Sequence, residues 1–295
     1  MVKPGNIYIH HIENALLKEQ NIQLDILRLD EIHETVSGNK WFKLKYYLEE
    51  ARRNNCKGII TYGGAYSNHI IATAFACREY GLESTRVIRG ERGTPLSHTL
   101  DYAASLGMQL HFTGREDFRN KNFDAFRTDG FYEVPEGGYG KPGVMGASEI
   151  LRCAPDADKY NYIFCAVGTG TMLAGLIQSS MPGRMCMGVS VMKNNFSLEN
   201  AVTNLLGNEK KDFTILHDYH FGGYARHSNH LLAFINNCWQ QYRLPLDFVY
   251  TAKAMYAVMD LVHKSFFETG SKILMIHSGG LQGNKSLPEG TLCFP

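Results

Sequence analysis

From Tyr162 the chain runs Tyr-Ile-Phe-Cys-Ala-Val, then Gly-Thr-Gly-Thr, then Met-Leu-Ala-Gly-Leu-Ile-Gln-Ser. A short apolar run stopped by glycine reads as a strand buried on both faces, and the small residues behind it as a helix. The same order appears earlier. Gly58-Ile59-Ile60-Thr61-Tyr62 is a buried strand, Gly63 to His69 a loop, and Ile70 to Tyr80 a helix closed by Gly81 at its C-cap. Strands that feed helices in this way belong to parallel sheets whose faces the helices cover. That pattern restricts the chain to an α/β architecture.

The remaining stretches extend it. Gln23–Leu29 alternates like a half-exposed strand, and a helix carrying Lys40 runs to about Asn54. Thr85–Gly90, Met108–Phe112 and Tyr132–Pro135 read as strands, with a helix over His98–Gly107. A second series starts near Gly140. It has helices over Gly146–Cys153, Met172–Ser179, Leu198–Leu206, Ser228–Arg243 and Ala254–Phe267, and strands over Tyr162–Val167, Met185–Val191 and Ile273–His277. Two series imply two α/β lobes, and the cleft between them is the default place for a site.

Charge and cysteine usage exclude several functions. A formal charge of +1 over 295 residues argues against nucleic acid or an anionic membrane as a partner. The seven cysteines form no Cys-x-x-Cys pair, so neither a zinc site nor a disulfide framework is indicated. The opening Met1-Val2-Lys3-Pro4-Gly5-Asn6 lacks the apolar run of a signal peptide, and no stretch approaches the ~20 apolar residues of a membrane span. The expected setting is a reducing cytoplasm.

Chemistry concentrates in a few loops. In Ser37-Gly38-Asn39-Lys40-Trp41-Phe42 a lysine stands on the first turn of an apolar-periodic helix. There the helix dipole and burial both favour its neutral amine, which can attack an aldehyde. Gly168-Thr169-Gly170-Thr171 brings glycines, hydroxyls and free helix N–H groups to one point, the chemistry of an anion cup. It is not a Walker loop, because no Gly-Lys-Ser/Thr follows, and it lacks the third glycine of a dinucleotide fingerprint. Ser67 and Asn68 follow Gly63-Gly64 and suit a carboxylate or phenolic oxygen, although Ser67 also suits a plain helix cap. His69 reads as a surface histidine or a further substrate contact, without a catalytic role. Phe221-Gly222-Gly223-Tyr224 and Asp247-Phe248-Val249-Tyr250-Thr251 each deliver a tyrosine from a loop into a helix, and Ile276-His277-Ser278-Gly279-Gly280 is a strand-end loop open to a ligand.

Together and in this order, these motifs make the chain similar to the 1-aminocyclopropane-1-carboxylate deaminase and D-cysteine desulfhydrase family. These are pyridoxal-phosphate enzymes of the tryptophan synthase β-like fold. The resemblance implies two open, twisted, mostly parallel sheets covered by helices. It further implies a large domain of residues 1–53 and 141–295, a small inserted domain of residues 54–140, and a homodimer. It makes Lys40 the Schiff-base lysine, Ser67 and Asn68 holders of the substrate carboxylate and the cofactor's phenolic oxygen, and Gly168, Thr169, Gly170 and Thr171 the phosphate cup. Tyr224 and Tyr250 become the active-site tyrosines, Thr251 the residue facing the pyridine nitrogen, and Ser278 part of the substrate wall.

Departures from the pattern choose within the family. Ser37 stands where glycine is usual, Phe248 where proline is common and Ala252 where glycine is common. Thr251 replaces the glutamate expected of a deaminase, and Ser278 its leucine. A carboxylate keeps the pyridine nitrogen protonated and the ring a strong electron sink, whereas a threonine hydroxyl does not. Expelling a thiolate, whose thiol has a pKa of about 8.5, asks less of the sink than opening a cyclopropane. The expected activity is therefore β-elimination from a small amino acid, giving a 2-oxo acid and ammonia. Cyclopropane deamination is the alternative, and a catalytically idle protein that binds the cofactor or an amino acid is a reading from another class.

Overall fold

The computed structural model describes residues 7–207 and 212–294, so the opening Met1–Asn6 lies outside the described residues. In chain order the elements are β1 (Ile9–Ile12), α1 (Ala15–Glu19), β2 (Gln23–Arg28), α2 (Asn39–Arg53), β3 (Gly58–Gly63), α3 (Asn68–Tyr80), β4 (Glu83–Arg89), α4 (His98–Ser105), β5 (Gln109–Thr113), α5 (Arg115–Arg119) and β6 (Phe131–Val134). There follow α6 (Lys141–Ala147), β7 (Tyr162–Val167), α7 (Thr171–Ser179), β8 (Met185–Ser190), α8 (Leu198–Leu206), β9 (Phe213–Leu216), α9 (Asn229–Tyr242), α10 (Thr251–His263) and β10 (Lys272–His277).

Two sheets result. The larger has the order β1-β2-β10-β7-β8-β9 and the smaller β5-β4-β3-β6. Every pairing is parallel except that of β1 with β2. All strands of the smaller sheet come from residues 58–134. One apolar cluster joins the sheets, running from Ile59, Ala72 and Val134 through Phe42, Leu44 and Leu48 of α2 to Ile163, Leu173 and Ile276.

Sequence expectation and structure differ at several elements. Gln23–Leu29 is not half exposed. β2 lies between β1 and β10, and its polar residues are buried with partners. Asp25 accepts from the Tyr160 hydroxyl at 2.6 Å, and Arg28 pairs with Asp30. The helix expected over Gly146–Cys153 starts earlier, at Lys141, because Pro142 suits a first turn; residues 150–153 form only a 3₁₀ turn. α10 starts three residues before Ala254 and ends at His263.

Close contacts at two glycines link the helix carrying Lys40 to the helix behind the Gly/Thr loop, with α6 between them. A Cβ at Gly146 would stand 1.9 Å from the Phe42 carbonyl oxygen of α2, and one at Gly175 of α7 2.4 Å from the Ala147 Cβ of α6. Gly146→Ala must therefore push α6 away from α2, at a cost of about 1–3 kcal/mol. Urea denaturation checks this; an unchanged midpoint would mean that the helices slide without loss.

Candidate active site

Three strand ends and one helix start converge on a single cleft of about 1480 Å³. Lys40 stands in the first turn of α2. The chain entering that helix is pinned to the end of β10, because Asn39 N–H donates to the Ser278 carbonyl at 3.1 Å and Gly38 N–H to the Leu29 carbonyl at 2.9 Å. Gly38 has φ +67°, and a Cβ there would lie 1.9 Å from the Ser278 oxygen, so only glycine allows this approach. The Lys40 Nζ donates to Asn39 Oδ1 at 2.6 Å. Burial lowers its pKa to about 8, against a smaller opposing pull from the Asp247 carboxylate. Near neutral pH a usable fraction of the amine is thus unprotonated.

The loop after β3 supplies free polar groups. Ser67 occupies the N-cap position of α3, yet its hydroxyl makes no capping bond, so the cap alternative does not account for it. Asn68 Oδ1 is buried without a hydrogen-bond partner among the described residues. His69 is not a surface residue. It is fully buried on α3 with Nε2 3.0 Å from the Thr61 hydroxyl and Nδ1 unpartnered. Burial, reinforced by Arg86 and the lysines at positions 40 and 43, holds its pKa well below the ordinary value and keeps the ring neutral.

Opposite stands the loop after β7. Thr169 and Thr171 hydroxyls lie 3.1 Å apart, and Gly170 takes φ +83° at the N-terminus of α7, where unsatisfied N–H groups point outward. A side chain at Gly170 would meet Val202 at 2.8 Å, so a bulky residue there disturbs the fold whether or not an anion binds. Gly168 is the better probe. A Cβ there makes an ordinary 3.5 Å contact with the Tyr250 ring. Gly168→Ala should fold like the wild type and release its cofactor several-fold faster on dialysis; unchanged retention would make the loop a turn only.

Tyr250 and Tyr224 meet in the cleft, with an edge-on ring contact at 6.0 Å and hydroxyls 3.4 Å apart. Burial and the neighbouring Tyr224 raise the Tyr250 pKa well above that of a free phenol, so Tyr250 keeps its proton. Tyr224 stays in the loop before α9 instead of entering a helix, and is 40% exposed. The Lys253 ammonium holds that loop by donating to the Gly223 carbonyl at 2.7 Å. Ser278 lines the cleft beside Lys40.

Thr251 does not line the cleft. It is fully buried, and its hydroxyl accepts from Asp247 N–H at 2.8 Å and donates to Asp247 Oδ1 at 2.7 Å. The same Asp247 carboxylate accepts from the N–H groups of Val249, Tyr250 and Thr251. The threonine side chain belongs to the cap of α10, which turns it from the position the resemblance gives it. Aspartate four residues before a threonine at a helix start is the cap signal that would have shown this.

Lys43 was not singled out by sequence. It is one turn beyond Lys40, buried in the cleft wall, with no hydrogen bond or ion pair among the described residues. Burial and the Lys40 charge depress its pKa well below the ordinary value, so the amine is held toward its neutral form until an anion beside it restores the proton. An unpaired buried lysine amine, an orphaned amide oxygen, a free hydroxyl and a glycine-lined helix N-terminus fit a phosphorylated aldehyde cofactor well.

Comparison with known proteins gives the same reading. The family described as "Pyridoxal-phosphate dependent enzyme" matches residues 12–279. The mitochondrial bifunctional D-cysteine desulfhydrase/1-aminocyclopropane-1-carboxylate deaminase of Arabidopsis thaliana is 30% identical, covering 88% of this chain and 73% of that protein. D-cysteine desulfhydrase of Klebsiella pneumoniae is 28% identical over 92% of this chain and 90% of its own. Among solved structures, an ACC deaminase homologue superposes with a TM-score of 0.79 at 25% identity, covering 96% and 94% of the two chains.

Proposed function

We propose that this chain, which belongs to the family of pyridoxal-phosphate dependent enzymes, removes the Cα proton of a small β-substituted amino acid and expels the substituent, yielding a 2-oxo acid and ammonia. The observation that carries the proposal is the pairing, in one cleft, of an amine with a pKa of about 8 at Lys40 and a phenol kept protonated at Tyr250. A base and an acid at opposite ends of the scale are what proton removal at Cα and proton delivery to a leaving group require.

Gly168 to Thr171 and Lys43 would hold the phosphate of the cofactor, and Lys40 its aldehyde end. The bound cofactor supplies an electron sink at Cα. Ser67 and Asn68 would hold the substrate carboxylate through the hydroxyl and amide groups left free by α3. Lys40 would take the Cα proton, and Tyr250, supported by Tyr224, would protonate the departing group. His69, neutral and braced on Thr61, would fix the loop that carries Ser67.

Ser278 favours elimination over cyclopropane opening, because it leaves a small polar wall where an apolar one would grip a ring. The names of the relatives divide between the two activities, so cyclopropane deamination is the second reading. Purified protein assayed with D- and L-cysteine, D-serine and the cyclopropane amino acid should release 2-oxo acid from the β-substituted compounds. Release from the cyclopropane compound alone would reverse the assignment.

A small inserted unit of residues 54–140, a homodimer and a cytoplasmic setting complete the proposal. The first is supported by the strand membership of the smaller sheet, and the last by the seven free cysteines. Sedimentation equilibrium tests the dimer. Among the described residues, no helix is long and apolar enough to cross a membrane.

A further inference from the structure

The cleft is larger than a cofactor and a three-carbon amino acid need. Ligand sites typically enclose ~300–1,000 Å³, against about 1480 Å³ here. The additional space lies against the smaller sheet, and its lining is strongly one-signed. Arg89, Arg115, Arg119, Lys121 and Arg127 all face it, and among the described residues only Glu133 and Glu136 oppose them on that wall. The segregation is local. Residues 115–129 contain four bases and four acids, and every base lines the cleft while none of those acids does. Arg127 pairs with Asp124 at 3.1 Å, but Arg89, Arg115, Arg119 and Lys121 make no ion pair among the described residues.

Buried groups show that this wall is built rather than an accident of surface charge. The Tyr62 ring, 3% exposed, stacks on Phe123 at 4.2 Å and lines the same cleft, and its hydroxyl, beside Glu133, makes no well-formed hydrogen bond among the described residues. Burial and the nearby Glu133 raise its pKa, so the phenol stays a donor. Arg86 lies fully buried behind the β3 end, with none of its guanidinium nitrogens hydrogen-bonded among the described residues. It reaches the spot a Gly63 side chain would fill, one residue from the cleft-lining Gly64. The wall also adjoins the proposed carboxylate loop, since Arg89 Nη2 comes within 3.6 Å of a Cβ built at Gly64.

The geometry points to a second anion subsite, formed by Tyr62, Arg89, Arg115, Arg119 and Lys121, so that the amino acid taken by this cleft carries an acidic group on its β-substituent. This rests on the elimination reading above and narrows its substrate class. The balance is simple. The Cα–H and Cβ–X bonds break, X leaves with the electron pair and gains a proton, and one water enters as 2-oxo acid and ammonia form. No oxidant or reductant is needed. A carboxylate or phosphate on X would meet donors that an uncharged substituent leaves desolvated and unmatched, which disfavours the neutral compound.

The test compares S-carboxymethylcysteine with S-ethylcysteine, a pair of similar size that differs in charge, in both enantiomers. Two readouts are taken: kcat/KM for 2-oxo acid release by the holoenzyme, and calorimetric binding to the full chain after borohydride reduction, when nothing turns over. The charged compound should be preferred about tenfold or more in both. That ratio should shrink several-fold in Arg89→Gln/Arg119→Gln and in Tyr62→Phe, and should also fall with added salt. Equal binding of the two compounds by the reduced wild type would overturn the subsite. Preferential binding of the charged compound without 2-oxo acid from either would uphold the subsite and count against the elimination reading.

Discussion

A Lys40→Ala variant is expected to fold, to carry no borohydride-fixed pyridoxal phosphate, and to lose about 10⁴-fold in turnover, the upper range for one positioned proton-transfer group. Among the described residues only one neighbour loses a bond, since Nζ donates to Asn39 alone. The same substitution should raise the stability of the cofactor-free protein, with a definite pH dependence. The amine has a pKa of about 8 in the folded chain against 10.5 when free, so between these values the unfolded chain binds more protons. Wild-type stability therefore rises with pH across that window, and the advantage of the variant is full below about pH 8 and gone above about 10.5. Urea melts at pH 7 and 10.5 measure it. Lys43 is the competitor to exclude, being also buried and also depressed in pKa. After borohydride reduction and digestion, a label fixed on Lys43 instead of Lys40 would overturn the assignment.

What could be read from sequence follows the range of the forces involved. β7 and α7 were legible because a buried strand, a glycine loop and a helix each have a local signature, and the boundaries of β7 match residue for residue. β1 and β9 were not, because four residues carry no usable period, and their places at the sheet edges come from pairing with distant strands. The burial of β2 was hidden for the same reason. Asp25 looks solvent-facing until Tyr160, far along the chain, is brought to it.

The site divides along the same line. Lys40, Ser67, Tyr250 and the Gly168–Thr171 loop could be named because each sits at a strand or helix end marked by glycine or a polar cluster. Their convergence depends on contacts such as Gly38 against Ser278, which no local pattern records. Lys43 was passed over because a lysine within an amphipathic helix ordinarily faces water. Here α6 and the Gly138 turn cover it, with Gly138 so close that a Cβ there would lie 3.5 Å from the lysine side chain. The basic wall was invisible because its acids and bases alternate along the chain and separate only when residues 115–129 lie across the cleft.

Thr251→Glu tests how rigid that arrangement is. Read from the resemblance, the substitution restores a deaminase-like carboxylate at the pyridine nitrogen and shifts the cofactor spectrum. The structure leads to a different expectation. Thr251 is fully buried and hydrogen-bonded to Asp247, whose carboxylate also accepts three backbone N–H groups at the start of α10. A glutamate there would set a second carboxylate against the first in a dry place, costing on the order of 3–5 kcal/mol, and would loosen the turn that carries Tyr250. The sign of the pH effect follows. Two carboxylates sharing one pocket bind a proton more tightly folded than unfolded, so the penalty is complete at neutral pH and eases as pH falls through the raised pKa. Thr251→Val removes the hydroxyl without adding charge and should lose less, with no such recovery in acid. Urea melts of the wild type and both variants at pH 5 and pH 8 separate these effects. If Thr251→Glu melts like the wild type at both pH values while the cofactor spectrum shifts, the new carboxylate has swung into the cleft, and the Asp247 cap does not hold position 251 as described.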